Sequence, residues 1–255
     1  MIITNSTQRV DLIEAGKRLA SVLQALRKAT VPGVTTADLE DIAVQMIRDG
    51  GDEPCFLGYA PEGADRPFPA ALCASINDEI VHGIPNENSK TLKEGDIIGL
   101  DLGLRHNGMI VDSAITVAVG EIDDASKKLM RATEEALTAG IAAAKVGNHV
   151  GDISNAIQAV IEGAGLKVIK ELGGHGVGEK VHEEPFVPNF GTRGTGELLE
   201  EGMVLALEPI STAGKASIII DADGYTYRTK DGSRSAHFEH TILIEKGGVV
   251  VVTRA

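Results

Sequence analysis

The sequence predicts an α+β fold in which a curved antiparallel sheet is covered on one face by two helix pairs, with a pseudo-two-fold internal duplication. Three observations lead there. Helical and strand-like patterns follow one another as helix, helix, strands, helix, helix, strands, an order that suits helices layered on a sheet. Three blocks recur in the same order along the chain. No Pro- or Ser-rich linker separates the halves, so residues 1–255 are read as one domain with halves of about 1–120 and 121–255.

The first helix is expected over 7–29, with Val10, Ile13, Leu19, Val22, Leu23 and Leu26 near one face and Val31-Pro32-Gly33 ending it. Thr35 or Thr36 caps a second helix that runs to Asp49-Gly50-Gly51. Segment 53–71, rich in Pro, Gly and Ala, reads as a long loop, and loops of that length in compact domains are usually functional or mobile. Strands are expected at 74–77, 96–104 and 109–119. Helices return at 123–145 and 150–165, followed by strands at 202–211, 217–220, 225–229 and 237–245.

The repeats are specific. Leu92-Lys93-Glu94-Gly95 leads through an apolar run to Leu100-Asp101, and Leu199-Glu200-Glu201-Gly202 leads likewise to Leu207-Glu208. His82-Gly83-Ile84-Pro85 and His182-Glu183-Glu184-Pro185 share His-x-x-Pro. The stretch from Gly33 to Gly51 matches that from Gly147 to Gly165, with Asp38 answering Asp152.

Composition bounds the function. With 24 basic and 37 acidic side chains the net charge is −13, which argues against a nucleic-acid partner. Trp is absent and aromatics are 3%, so the core must be aliphatic. The apolar runs at 97–104 and 247–252 are strand-sized, far short of a bilayer span, so no membrane is expected. The polar start lacks the pattern of a secretory signal, and two cysteines are too few for a disulfide framework; a cytoplasmic protein with free thiols is the expectation.

Carboxylates fall where strands could bring them together. Asp101 and Asp112 flank Arg105-His106-Asn107-Gly108. A four-residue loop there sets Asp101 opposite Asp112, whereas a tight Asn107-Gly108 turn sets it opposite Ala114; both aspartates share a sheet face either way. Facing carboxylates are costly unless a cation lies between them. A hairpin at Asp223-Gly224 would likewise set Glu208 opposite Glu239, provided that Gly214 or the Asp231-Gly232 turn does not break the register. His175 lies in a Gly-rich turn, Gly173-Gly174-His175-Gly176-Val177-Gly178, where glycines permit close backbone approach. Four carboxylates and one imidazole suffice for two cations and a shared water. Such oxygen-rich coordination suits Mn²⁺, Fe²⁺ or Co²⁺ better than a thiolate zinc site.

At these residues the chain resembles the type I methionine aminopeptidase family, metallopeptidases of the pita-bread fold. Most of the chain is covered, through the run from Ser75 to Pro85, Gly174-His175-Gly176-Val177-Gly178, His182-Glu183-Glu184-Pro185, Leu207-Glu208-Pro209 and Phe238-Glu239-His240-Thr241. The resemblance implies that Asp101, Asp112, His175, Glu208 and Glu239 bind two divalent cations (Co, Mn, Fe, Ni or Zn), with Asp112 and Glu239 bridging. It implies a monovalent cation nearby, for which Asn77 and Ser235 match. His82 and His182 would contact substrate, and Phe56, Tyr59, Cys73, Val181 and Tyr225 would line the pocket for the first side chain. The family commonly has Cys, Phe and Trp where Phe56, Val181 and Tyr225 stand, which implies a reshaped pocket.

The implied reaction is removal of the N-terminal methionine from nascent polypeptides or peptides with a small second residue. Water between the cations would attack the first peptide bond. Glu208 would move the proton, and His182 and His82 would hydrogen-bond the scissile carbonyl and the peptide nitrogen. A monomer is expected. Competing readings are a proline-directed aminopeptidase or dipeptidase, which usually carries an extra N-terminal domain, a paralogue of altered preference, and a non-catalytic binding protein on the same fold.

Overall fold

A computed structural model of the chain describes residues 1–61 and 63–254; Glu62, within the 60–71 segment, and Ala255 lie outside. Helix α1, Ser6–Ala29, starts at Asn5, whose side chain accepts the N–H of Gln8. Its buried stripe runs through Leu12, Ala15, Gly16, Leu19, Val22, Leu23 and Leu26. Val10 lies instead on the solvent side, 63% exposed, because at 100° per residue it points away from the Leu12, Leu19 and Leu26 line. Thr35 caps helix α2, Thr36–Asp49, with Asp38 answering the N–H of Thr35 in a capping box.

Helices α3, Asp124–Ala143, and α4, Val150–Gly163, form the second pair. At the start of α4, Asp152 accepts from the N–H of His149 as Asp38 does from Thr35. Each pair is tied to a strand entry in the same way: Thr35 bridges Thr91, and His149 bridges Leu198.

All the strand pairings described are antiparallel. The first sheet is built on Ile97–His106, which pairs with Leu72–Ile76, with Met109–Ala118 and with the short strand Glu53–Pro54. That short strand corrects the expectation of a continuous loop from 53. Pairing to Arg105 and Leu104 satisfies backbone that a loop would leave to water. The second large sheet runs in the order Gly248–Val251, His240–Glu245, Val204–Leu207, Gly173–Gly176, Glu183–Pro188. Two three-stranded sheets complete, among the described residues, a mixed α and β architecture like the one the resemblance implies.

The Gly-rich segment around His175, read as a turn, is a strand. Glycine is a poor strand residue, yet here it is required. A Cβ on Gly174 would lie 2.2 Å from the carbonyl oxygen of Ala206, and one on Gly176 would lie 2.2 Å from that of Glu184.

Apolar cores lie where helices meet sheets. α1 and α2 cover Leu72, Leu100, Leu102, Leu104 and Val111, while α3 and α4 cover Leu205, Leu207, Ile242 and Ile244. Each fully buried Leu or Ile contributes about 1.5–3 kcal/mol of transfer free energy. Aliphatic side chains supply nearly all of it, as the scarcity of aromatics requires. Among the described residues no helix is long and apolar enough to cross a membrane.

Candidate metal centre and adjoining pocket

Both hairpin registers follow from local turns. Asn107, at φ +48, and Gly108, at φ +84, make the tight turn, so Asp101 pairs with Ala114 and Gly103 with Asp112. The aspartates are thus diagonal neighbours on one face. In the second half one register runs from Ile220 opposite Tyr227, through Ile210 opposite His237, to Val204 opposite Leu243. Pairing lapses around Gly214 and Asp231-Gly232 without changing that register, and Glu208 lies across from Glu239 between two paired segments.

A polar seam joins the halves. Thr241 Oγ1 accepts the N–H of Asp112 at 2.9 Å and donates to the Asp112 carbonyl at 2.8 Å. Ser113 donates to the Glu239 carbonyl at 2.7 Å, Thr116 donates to the His237 carbonyl at 2.7 Å, and Glu239 N–H donates to the Ala114 carbonyl at 2.8 Å. Ser113, Thr116 and Thr241 are buried and bonded, so the seam leaves no hydroxyl unpaired there.

This seam brings Asp112 to Glu239, and strand Gly173–Gly176 adds His175. Ligand atoms of these three residues lie within 4.8 Å of one another. Glu208 Oε1 is 3.8 Å from His175 Nε2. Asp101, Asp112, His175, Glu208 and Glu239 all face a cavity of about 270 Å³, which His82, His182, Phe56, Tyr59, Cys73 and Tyr225 also line. Val181 is buried in the same apolar cluster as Phe56, Cys73 and Tyr225. The five candidate ligands and His82, His182, Phe56, Tyr59, Cys73 and Tyr225 therefore line one cavity, which Val181, Asn77 and Ser235 do not line.

The donor set fits divalent cations. Asp101 Oδ1, Asp112 Oδ1 and Glu239 Oε1 are buried without a hydrogen-bond partner among the described residues, an expensive arrangement for carboxylates unless a positive charge joins them. Burial, followed by Asp112 and Glu208, pushes Asp101 well above the usual carboxyl range. Burial and then Glu208 push Asp112 to about 7. Burial alone takes Glu208 to about 8, and burial with Asp112, Glu208 and Asp101 raises Glu239. His175 is pushed down to about 3 by burial and the neighbouring His182. Its Nδ1 lies 2.8 Å from the Gly176 carbonyl, which can only accept. The proton therefore sits on Nδ1 and Nε2 offers its lone pair to the cluster.

His82 adopts φ +59, a left-handed conformation that a non-glycine residue holds only under constraint. Gly83 beside it has no room for a side chain, since a Cβ would lie 2.4 Å from the Ala74 carbonyl oxygen. The turn brings the imidazole to the cavity, edge-on to Tyr227 at 5.6 Å between centroids. Burial, then His182 and His237, lower its pKa to about 4. Asn77 and Ser235 meet through the Ser235 N–H and the Asn77 carbonyl, 2.9 Å apart.

Two residues at this site were not anticipated. His237 is buried, with Nε2 unpartnered and 3.3 Å from Glu208 Oε2. The signal was available: His237 stands two residues before Glu239, which is same-face spacing in extended chain. Asn189 donates from Nδ2 to the Glu208 carbonyl at 2.9 Å, and nothing local in the sequence pointed to it.

Comparison with known proteins places these features in context. A family model described as metallopeptidase family M24 matches residues 11–246. The methionine aminopeptidase of Aquifex aeolicus is 47% identical over 94% of this chain and 93% of its own length. Methionine aminopeptidase 1 of Bacillus subtilis is 42% identical over 100% of both chains. The crystal structure of methionine aminopeptidase from Thermotoga maritima matches with a TM-score of 0.95 and 41% identity, covering 100% of both chains.

Proposed function

The chain belongs to metallopeptidase family M24, and on that premise we propose that it is a metal-dependent aminopeptidase that removes the N-terminal methionine from peptides and nascent proteins whose second residue is small. One observation carries the reading: a buried group of Asp112, His175 and Glu239, with unpartnered carboxylate oxygens, at one side of an apolar pocket. The pocket, walled by Phe56, Tyr59, Cys73 and Tyr225, receives the methionine side chain, whose flexible thioether tolerates an irregular wall. A wider groove of about 680 Å³ shares His82, His175, His182 and Glu208 with it and has room for the residues that follow.

Asp101, Asp112, His175, Glu208 and Glu239 are the residues that would hold two divalent cations. Bound there, such ions supply Lewis acidity, which polarises a carbonyl and brings the ionisation of water towards neutral pH. Glu208 accepts the proton of the nucleophile and returns it to the leaving amine. His182 donates a hydrogen bond to the scissile carbonyl as negative charge develops on it, and His82 holds the peptide nitrogen or an adjacent backbone group. Asn77 and Ser235 contribute to a monovalent-cation site near the substrate. The acidic surface and the substrate class suit a cytoplasmic monomer that binds no nucleic acid.

The test is hydrolysis of Met-Ala-Ser and of Ala-Pro peptides with Mn²⁺, Fe²⁺ or Co²⁺, and with a chelator. Methionine release from Met-Ala-Ser that the chelator abolishes is expected. Metal-dependent cleavage of Ala-Pro alone would instead make the chain a proline-directed enzyme.

A further inference from the structure

His182 has two ring neighbours. The His175 ring lies at 4.4 Å between centroids and 67°, and the Tyr59 ring at 5.3 Å and 52°. The Tyr59 hydroxyl is 2.8 Å from His182 Nδ1, a bond between residues 123 apart in the chain. What the imidazole presents to substrate depends on which nitrogen carries the proton.

We infer that Tyr59 is a positioning residue for His182: its phenol O–H donates to Nδ1 and so fixes Nε2 as the N–H that faces the scissile carbonyl. The neighbouring histidine shows the same logic with the opposite result. A carbonyl beside Nδ1 of His175 can only accept, and it leaves Nε2 bare for a cation. A phenol beside Nδ1 of His182 can donate, and the sp² imidazole nitrogen is the better acceptor of the two atoms, so Nε2 keeps its hydrogen. Burial raises the Tyr59 pKa further, which keeps the phenol protonated.

Tyr59 is also a wall of the pocket, and its segment is tied down. Gly58 N–H donates to the Phe68 carbonyl at 2.9 Å, and Phe68 N–H to the Tyr59 carbonyl at 2.8 Å. The Tyr225 hydroxyl donates to the Arg66 carbonyl, and the Arg66 guanidinium grips Glu87 at 2.6 and 2.7 Å. One side chain thus lines the first-residue pocket and sets the hydrogen-bond donor at the reacting carbonyl, so filling the pocket and polarising the carbonyl are mechanically joined. This rests on the aminopeptidase reading above.

Tyr59→Phe keeps the wall and removes the donor. On Met-Ala-Ser it is expected to lower kcat about 10-fold, a fraction of what a lost oxyanion donor costs, while KM stays within about 2-fold. In a His182→Ala background the same change should have no further effect on kcat, because both act through one bond. In the protein loaded with diamagnetic Zn²⁺, ¹⁵N–¹H correlation spectra should show His182 as the Nε2–H tautomer, shifting to a mixture in Tyr59→Phe. Unchanged kcat in Tyr59→Phe, an equal loss in both backgrounds, or an Nδ1–H tautomer in the wild type would each overturn the assignment. Inactivity of the wild type on Met-Ala-Ser would count against the aminopeptidase reading instead, with the tautomer measurement still deciding the role of Tyr59.

Discussion

Asp112 carries three duties at once: its carboxylate joins His175 and Glu239, its N–H and carbonyl both bond Thr241, and its strand lies beside Asp101. Asp112→Asn removes a charge that the proposed cation site requires while preserving shape. Activity should vanish and calorimetric metal titration should show impaired binding, with an unchanged far-ultraviolet spectrum; retained turnover would contradict the proposed role of Asp112 in holding metal. The metal-free variant should melt no lower than metal-free wild type at pH 8, since a buried carboxyl no longer has to ionise. His182→Ala removes a donor that matters only as charge develops. It should cost kcat about 10²-fold or more. A change confined to KM would reassign His182 to substrate binding.

Between elements, the decisive contact is the hydroxyl seam joining Met109–Ala118 to the strand segments around Glu239. Thr241→Val keeps volume and branching but leaves the Asp112 N–H and carbonyl without that partner in a buried place. Lost desolvated bonds of this kind cost about 1–3 kcal/mol each, so a loss of about 2–6 kcal/mol is expected for the two. That corresponds to a fall in Tm of roughly 4–24 °C for a chain of this size. Metal affinity should drop in parallel, because the same two bonds set the approach of Asp112 to Glu239. A variant of normal Tm and normal affinity would show that backbone pairing alone aligns the two carboxylates. The two helix pairs, capped alike and bridged alike to Thr91 and Leu198, lead us to propose that the chain arose by duplication of a helix-pair and strand unit.

For the whole molecule, the site makes metal-free stability depend on pH with a definite sign. Asp112 at about 7 and Glu208 at about 8, with Asp101 and Glu239 also raised, hold protons in the folded state that the unfolded chain has released above about pH 4. Their stabilising share is therefore lost as pH rises through 7–8. His175 and His237 at about 3, and His82 and His240 at about 4, act the other way. Their stabilising share is complete only above the unfolded value of about 6.5 and is lost on acidification. Between about pH 6.5 and 8 the carboxyls act alone. Scanning calorimetry in chelator should thus show Tm falling across that interval, and saturating Mn²⁺ should remove the fall, since cation binding replaces the protons. A metal-free Tm that climbs steadily to pH 8 would mean that the carboxyls are not strained. With no Trp in the chain, calorimetry or circular dichroism is the practical readout.

The sequence by itself determined whatever rests on short-range physics. Leu spacing and the Thr35 cap defined helices, Asp223-Gly224 offered the register that the second hairpin takes, and residue type and spacing made Asp101, Asp112, His175, Glu208 and Glu239 candidates for cation binding. Even there one choice stayed open, because a turn of two or four residues at 105–108 satisfies the same pattern. Only the tertiary structure decided how the halves meet. Thr241 reaches Asp112 across 129 positions, Tyr59 reaches His182 across 123, and His237 and Asn189 close on Glu208 from separate strands or their ends. Such bonds leave no period or spacing in the chain, because their geometry exists only after the intervening residues have packed. The Gly-rich strand at His175 belongs with them: its glycines look like a turn until the carbonyls of Ala206 and Glu184 occupy the space that side chains would need.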